Sequence, residues 1–117
     1  MRVLVCGGRD FNNEAMLKLG FHLLTADGES ITEICHGGAR GADTLAGKYA
    51  EENNIPCKVY PADWEKHGKK AGPIRNCEML ISFDPDVVLA LPGGKGTAHM
   101  IRTAESADYS VLQLSKD

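Results

Sequence analysis

Hydrophobic positions along the chain follow two alternating periods. Short apolar, β-rich runs fall at 2–6 (RVLVC), 31–35 (ITEIC), 57–61 (CKVYP), 86–91 (DVVLAL) and 110–114 (SVLQL). Between them the apolar residues recur at helical spacing. Over 13–26 that spacing puts Ala15, Met16, Leu19, Leu23 and Leu24 on one face. Over 42–54 it gives an inner face of Leu45, Ala46, Tyr49 and Ala50. Two further helices are predicted, over about 72–82 and over 96–107, the former with Pro73 accommodated in its first turn. Residues 62–71 read as a loop. The resulting β-α-β-α-β-α-β-α-β order predicts a Rossmann-like three-layer α/β/α fold around a parallel sheet of about five strands. The run at 86–91 is apolar throughout, as expected of a strand covered on both faces. In a strand order of 3-2-1-4-5, strands 1 and 4 are neighbours. Ligands bind in such sheets at that switch point, outside the carboxyl ends of the strands.

Three of the predicted strands run straight into glycine: Gly7-Gly8, then His36-Gly37-Gly38 with Gly41 beyond, and Pro92-Gly93-Gly94-Lys95-Gly96-Thr97. Glycine permits a sharp turn with positive φ. It also bares backbone N–H groups where a helix begins, the usual seat of a phosphate. One such loop is ambiguous between these roles; three on one rim favour an anion. The loops match neither G-x-x-x-x-G-K-[ST] nor G-x-G-x-x-G, which argues against a P-loop triphosphatase or an ordinary dinucleotide dehydrogenase.

The polar residues beside the glycines each have two readings. Arg9 and Asp10 point to the crevice mouth or form a surface ion pair of little consequence. Asp43 is most simply a helix N-cap, and otherwise holds a ribose hydroxyl or orders its loop. Arg40 and Lys95 reach a phosphate or stay in solvent. Thr97 bonds a phosphate oxygen or caps its helix. His36 is a ligand contact, a proton donor or a structural histidine. The stretch 63–76 (DWEKHGKKAGPIRN) brings Lys66, Lys69, Lys70 and Arg75 to the same rim, with Asn76 counted among the candidate contacts. Trp64 stacks on a base or, the slightly favoured reading, covers a corner of the core. Arg75 sits near a helix N-terminus, where the dipole disfavours a cation; a phosphate or Asp10 is its expected partner.

Composition narrows the field. At 117 residues the chain fits one domain, 1–117. A formal net charge of −3 weighs against a general nucleic-acid binder. Cys6, Cys35, Cys57 and Cys77 form no C-x-x-C pair, so no metal site is expected. Cys6, Cys35 and Cys57 adjoin apolar strands and read as buried, reduced thiols of a cytoplasmic protein. The N-terminal apolar run is too short for a signal peptide, and no stretch approaches the ~20 apolar residues of a membrane span.

The motifs VCGGRDF, HGGARGAD, DWEKHGKKAGPIRN and PGGKGT together resemble the YspA/YpsA-related branch of the SLOG (LOG, lysine-decarboxylase-like) superfamily, found in bacteria and phages. The likeness runs from about Arg2 to Ala107. It implies a fold that binds nucleotides or their derivatives, and related domains sense ADP-ribose-type ligands. It also implies a homodimer joined through helices that flank the sheet. The LOG enzymes hydrolyse the N-glycosidic bond of nucleoside 5′-monophosphates, and their loop continues P-G-G-x-G-T-x-x-E with a catalytic glutamate. Here Met100 stands at that position, and Glu105 lies on another helical face. The leading expectation is therefore a sensor or sequestering domain for a phosphorylated nucleoside. A LOG-type hydrolase is the alternative, with Asp10, Asp43 or His36 as acid or base. DNA binding, known for a related bacterial fold, is a third class that the charge disfavours. No cofactor is expected beyond Mg²⁺ accompanying a phosphate.

Overall fold

A computed structural model describes residues 1–115. Five parallel strands, β1 (Arg2–Cys6), β2 (Glu33–His36), β3 (Cys57–Val59), β4 (Val87–Ala90) and β5 (Ser110–Gln113), form one sheet in the order β3-β2-β1-β4-β5. Central β1 is in register with both neighbours, Val3 opposite Ile34 on one side and Val87 on the other. Every residue of β4 is buried, as its unbroken apolar run requires.

Alternating strand residues feed two cores. Val3, Val5, Ile34 and Leu89 face α1 (Glu14–Leu24) and α2 (Ala42–Glu52). Leu4, Cys6, Cys35 and Val88 face α4 (Ala71–Phe83) and α5 (Lys95–Ser106). The architecture is the expected three-layer Rossmann-like one.

The inner face of α1 differs from the expected one. The helix buries Leu17, Gly20 and Phe21, with Leu24 packed against the same core. Leu19 and Leu23 are 51% and 48% exposed, and Ala15 is exposed too. Gly20 explains the rotation. A Cβ there would come within 2.8 Å of Leu89, so the missing side chain is what lets α1 settle onto β4. Phe21 then stacks on Tyr49 of α2 with ring centroids 4.2 Å apart, a pair worth about 0.5–1.5 kcal/mol beyond its burial.

Residues 62–71 are not a plain loop. They hold a short helix α3 (Trp64–His67) and a 3₁₀ turn (Gly68–Lys70) leading into α4. Asp63 starts α3, its Oδ1 accepting the Lys66 N–H at 3.0 Å. At the other end of α4, Asp84 adopts a left-handed conformation, φ 50°, and Pro85 follows. Cys57 is exposed on the edge strand β3 rather than buried; only Cys6 and Cys35, on interior strands, are enclosed.

Candidate functional site

The loops after β1 and β4 meet where the strand order reverses. The Gly8 N–H donates to the Pro92 carbonyl at 2.9 Å, and a Cβ on Gly8 would lie 3.0 Å from the Gly93 Cα. On the other flank Gly7 packs against Ala42, 2.6 Å from where its Cβ would be. Gly41, at φ 77°, is the N-cap of α2 and sits directly on the backbone of Gly8 and Arg9. These glycines therefore serve close backbone packing. Gly94 and Gly96 are different: among the described residues nothing lies within 4 Å of a Cβ at either position.

Above the joined loops opens a cleft of about 1150 Å³. Its wall includes Gly7, Gly8, Arg9, Asp10, Gly37, Asp43, Trp64, Arg75, Asn76 and the run Pro92–Thr97. Lys69 of the basic stretch lines it too, as do Phe11, Asn13 and His99, which carry no motif that marks them in the sequence. His36, Gly38, Arg40 and Gly41 stand outside the lining. Arg40 pairs with Asp10 at 3.3 Å, both largely exposed, an interaction of little strength. The His36 imidazole lies behind the loop, where Nδ1 accepts the Gly38 N–H at 3.0 Å.

One end of the cleft is formed by the start of α5. Its N-cap, Gly94, has no side chain to cap the helix, so the first-turn N–H groups lack the usual partner. Thr97 is buried in that turn beside Gly93. Lys95, the first residue of the helix, is exposed at the cleft wall. Four cations (Arg9, Lys69, Arg75, Lys95) and two carboxylates (Asp10, Asp43) line the cavity, in a chain whose net charge is −3.

Arg75 does not reach Asp10. It lies in the second turn of α4, and its Nη1 donates to the carbonyls of Gly37 (2.7 Å) and Tyr60 (3.4 Å). Nε donates to Asn76 Oδ1 at 3.1 Å. Backbone acceptors at the ends of β2 and β3 are what hold this cation at a helix N-terminus. Asn76 passes the connection onward, its Nδ2 donating to Gly96 O at 3.3 Å and meeting His99 Nδ1 at 3.1 Å. Two adjacent residues of α4 thus tie the β2 loop to the first turn of α5.

Asp43 is not the N-cap of α2. It lies inside the first turn, and its Oδ2 accepts the Ala39 N–H at 3.1 Å, so it orders the loop from within. Burial raises its pKa, opposed by the Ala39 N–H and by the charges of His36 and Arg75. Burial lowers that of His36, with Asp43 opposing and Arg75 assisting. Trp64 is not a core residue: it is 50% exposed on the cleft wall. Met100 is buried among α4 and sheet residues on the far side of α5, so the position of the LOG glutamate is a core position here.

The fold and the cleft define a Rossmann-like α/β protein with a glycine-lined cavity at its switch point. Residues 1–67 match the YspA, cpYpsA-related SLOG family, and the chain belongs to that family. It is 45% identical over 86 residues to the Gene 61 protein of Mycobacterium phage D29, covering 68% of each chain. Among solved structures it resembles a UDP-GlcNAc 2-epimerase from Neisseria meningitidis, bound there to UDP-GlcNAc, with a TM-score of 0.57 and 19% identity. That alignment takes in 97% of this chain but 32% of the enzyme, so the chain spans about a third of its length; the likeness is one of fold. Among the described residues no helix is long and apolar enough to cross a membrane.

Proposed function

We propose that the cleft binds a phosphorylated nucleoside or nucleotide-derived ligand, as a sensing or sequestering domain. The observation that carries this reading is the start of α5. An uncapped helix N-terminus, flanked by the open glycines Gly94 and Gly96, faces a cavity in which cations outnumber carboxylates. A phosphate there would accept first-turn N–H groups and take favourable energy from the helix dipole. Arg9, Lys69 and Lys95 supply charge, while Arg75 holds the loops. The cavity exceeds what a phosphate alone requires. Membership of a SLOG family supports a nucleotide-related ligand.

Thermal unfolding with a panel of nucleoside 5′-monophosphates and ADP-ribose, with and without Mg²⁺, tests the proposal. A ligand at 100 times its Kd stabilises by about 2.7 kcal/mol, a rise of several degrees. A panel in which no phosphorylated nucleoside raises the transition overturns it. Native mass spectrometry then separates retention from turnover.

One observation favours hydrolysis as a second reading. Asp43 places a carboxyl with a raised pKa on the cleft wall, the property of a general acid. Free base accumulating from a monophosphate, and lost in Asp43→Asn, would establish that activity. The buried Met100 stands against it.

A further inference from the structure

Trp64 is the only tryptophan in the chain, and its position needs explaining. Indole is among the side chains with most to gain from burial, yet this one is 50% exposed. It is not on a free surface but on the cleft wall. Asp63 fixes the start of its short helix through Lys66 N–H. Gly72, in the first turn of α4, passes the ring closely: a Cβ there would lie 3.6 Å from Trp64 Cη2. On the opposite loop the Arg9 guanidinium lies 5.9 Å from the ring centroid, at the outer limit of cation–π attraction. Arg9 is exposed and forms no ion pair among the described residues. An aromatic plane and an exposed guanidinium, in the same cavity as an uncapped helix start, are the parts from which base-stacking sites are made.

We infer that Trp64 forms a stacking wall for the nucleobase of the ligand, with Arg9 closing over the outer face of the base. This rests on the phosphate end lying at α5, as proposed above. It gives the cleft a polarity, base against α3 and phosphate against α5. It also names the ligand class: a nucleotide with an unmodified base plane, as opposed to a sugar phosphate. Stacking is tolerant of base identity because every base has a π-face, so the wall selects for a base without selecting strongly among bases.

The test uses the protein's own fluorescence, since a single indole reports the event. The protein is titrated with AMP, GMP, CMP and UMP, and in parallel with ribose 5-phosphate, which carries the phosphate and sugar alone. The expected result is quenching by the nucleotides, little change with ribose 5-phosphate, and tighter binding of the base-bearing ligands. Trp64→Ala, followed by calorimetry, weakens nucleotides roughly 5- to 150-fold and leaves ribose 5-phosphate unchanged. Trp64→Phe, which keeps an aromatic plane, recovers most of the loss. If nucleotides and ribose 5-phosphate bind alike and the fluorescence does not move, the base wall is overturned while the phosphate site stands. If neither binds, both readings fall. Should Trp64→Ala fail to fold, the wild-type quenching and the Trp64→Phe affinities decide.

Discussion

Two glycine substitutions separate what the loops do for the fold from what they do for a ligand. Gly41 adopts φ 77° and ψ −124° at the start of α2, and a Cβ there would press into the carbonyl groups of Gly8 and Arg9. Gly41→Ala combines a backbone conformation that side chains avoid, about 1–3 kcal/mol, with overpacking of about 1–3 kcal/mol. A loss of about 2–6 kcal/mol is a large part of the ~5–15 kcal/mol that holds a domain together. Gly94 has open space around its Cβ position and φ −102°. Gly94→Val costs about 1 kcal/mol, because valine is a poorer N-cap than glycine. Its branched side chain would stand in front of the N–H groups of Lys95, Gly96 and Thr97. Losing one charge-assisted hydrogen bond there removes about 1.5–3 kcal/mol, or roughly 10- to 150-fold in affinity. Urea unfolding by circular dichroism and nucleotide calorimetry on the same preparations measure both quantities. The reasoning is refuted if Gly94→Val folds and binds as wild type does, or if Gly41→Ala is as stable as the parent.

Two further outcomes follow from burial. Alkylation of the folded protein at pH 8 should modify Cys57 and Cys77 and spare Cys6 and Cys35, seen as two adducts by intact mass. The latter pair is enclosed, and burial pushes the Cys6 thiol up to about 12; four adducts before unfolding would contradict the packing. His36 should give stability a pH dependence near neutrality. Burial lowers its pKa in the fold, and Nδ1 must stay unprotonated to accept the Gly38 N–H. The unfolded chain takes up the proton near the ordinary ~6.5 while the fold resists. Stability therefore falls as pH drops below that value and levels off once the folded imidazole also protonates. Urea midpoints between pH 7.5 and 5 should show this, and His36→Asn, whose Oδ1 can accept the same N–H, should flatten it. A wild-type midpoint no more pH-dependent than that of His36→Asn removes the argument.

The topology was legible because its signal is redundant: five apolar runs, helical spacing between them, and glycine at three strand ends. The facing of α1 was not. Its sequence carries two apolar stripes, one through Met16, Leu19 and Leu23 and one through Leu17, Phe21 and Leu24. Counting hydrophobic residues cannot choose between them. The deciding residue is Gly20, whose contribution is an absence of volume over Leu89. For Trp64 the slightly favoured core reading failed for a related reason, and the cleft reading held. Composition assigns a lone tryptophan to a core, while the turn that carries it to the cleft depends on Asp63 capping a four-residue helix, too short to show periodicity. The partners of Arg75 were invisible because they are backbone carbonyls, brought together only by the order of β2 and β3.

The same geometry weighs the two functional readings. The glycines of VCGGRDF and HGGARGAD look alike in sequence to those of PGGKGT, yet Gly7, Gly8 and Gly41 pack tightly on Ala42, Gly93 and the Gly8–Arg9 backbone respectively, while Gly94 and Gly96 face open space among the described residues. The room for an anion is therefore concentrated at α5. A hydrolase of LOG type would need a carboxylate close to that helix start. The residue one turn along, Met100, is 1% exposed and faces α4 and the sheet; replacing it with glutamate would bury a charge in a core. The cleft carboxylates belong instead to other loops. Asp10 is at the mouth with Arg40, and Asp43 holds Ala39. Hydrolysis would require Asp43 to carry and donate a proton on Oδ1 while Oδ2 keeps the Ala39 N–H. Binding asks nothing of it beyond the role it already has. That difference in what is asked of Asp43 is why the proposed binding role is preferred to hydrolysis.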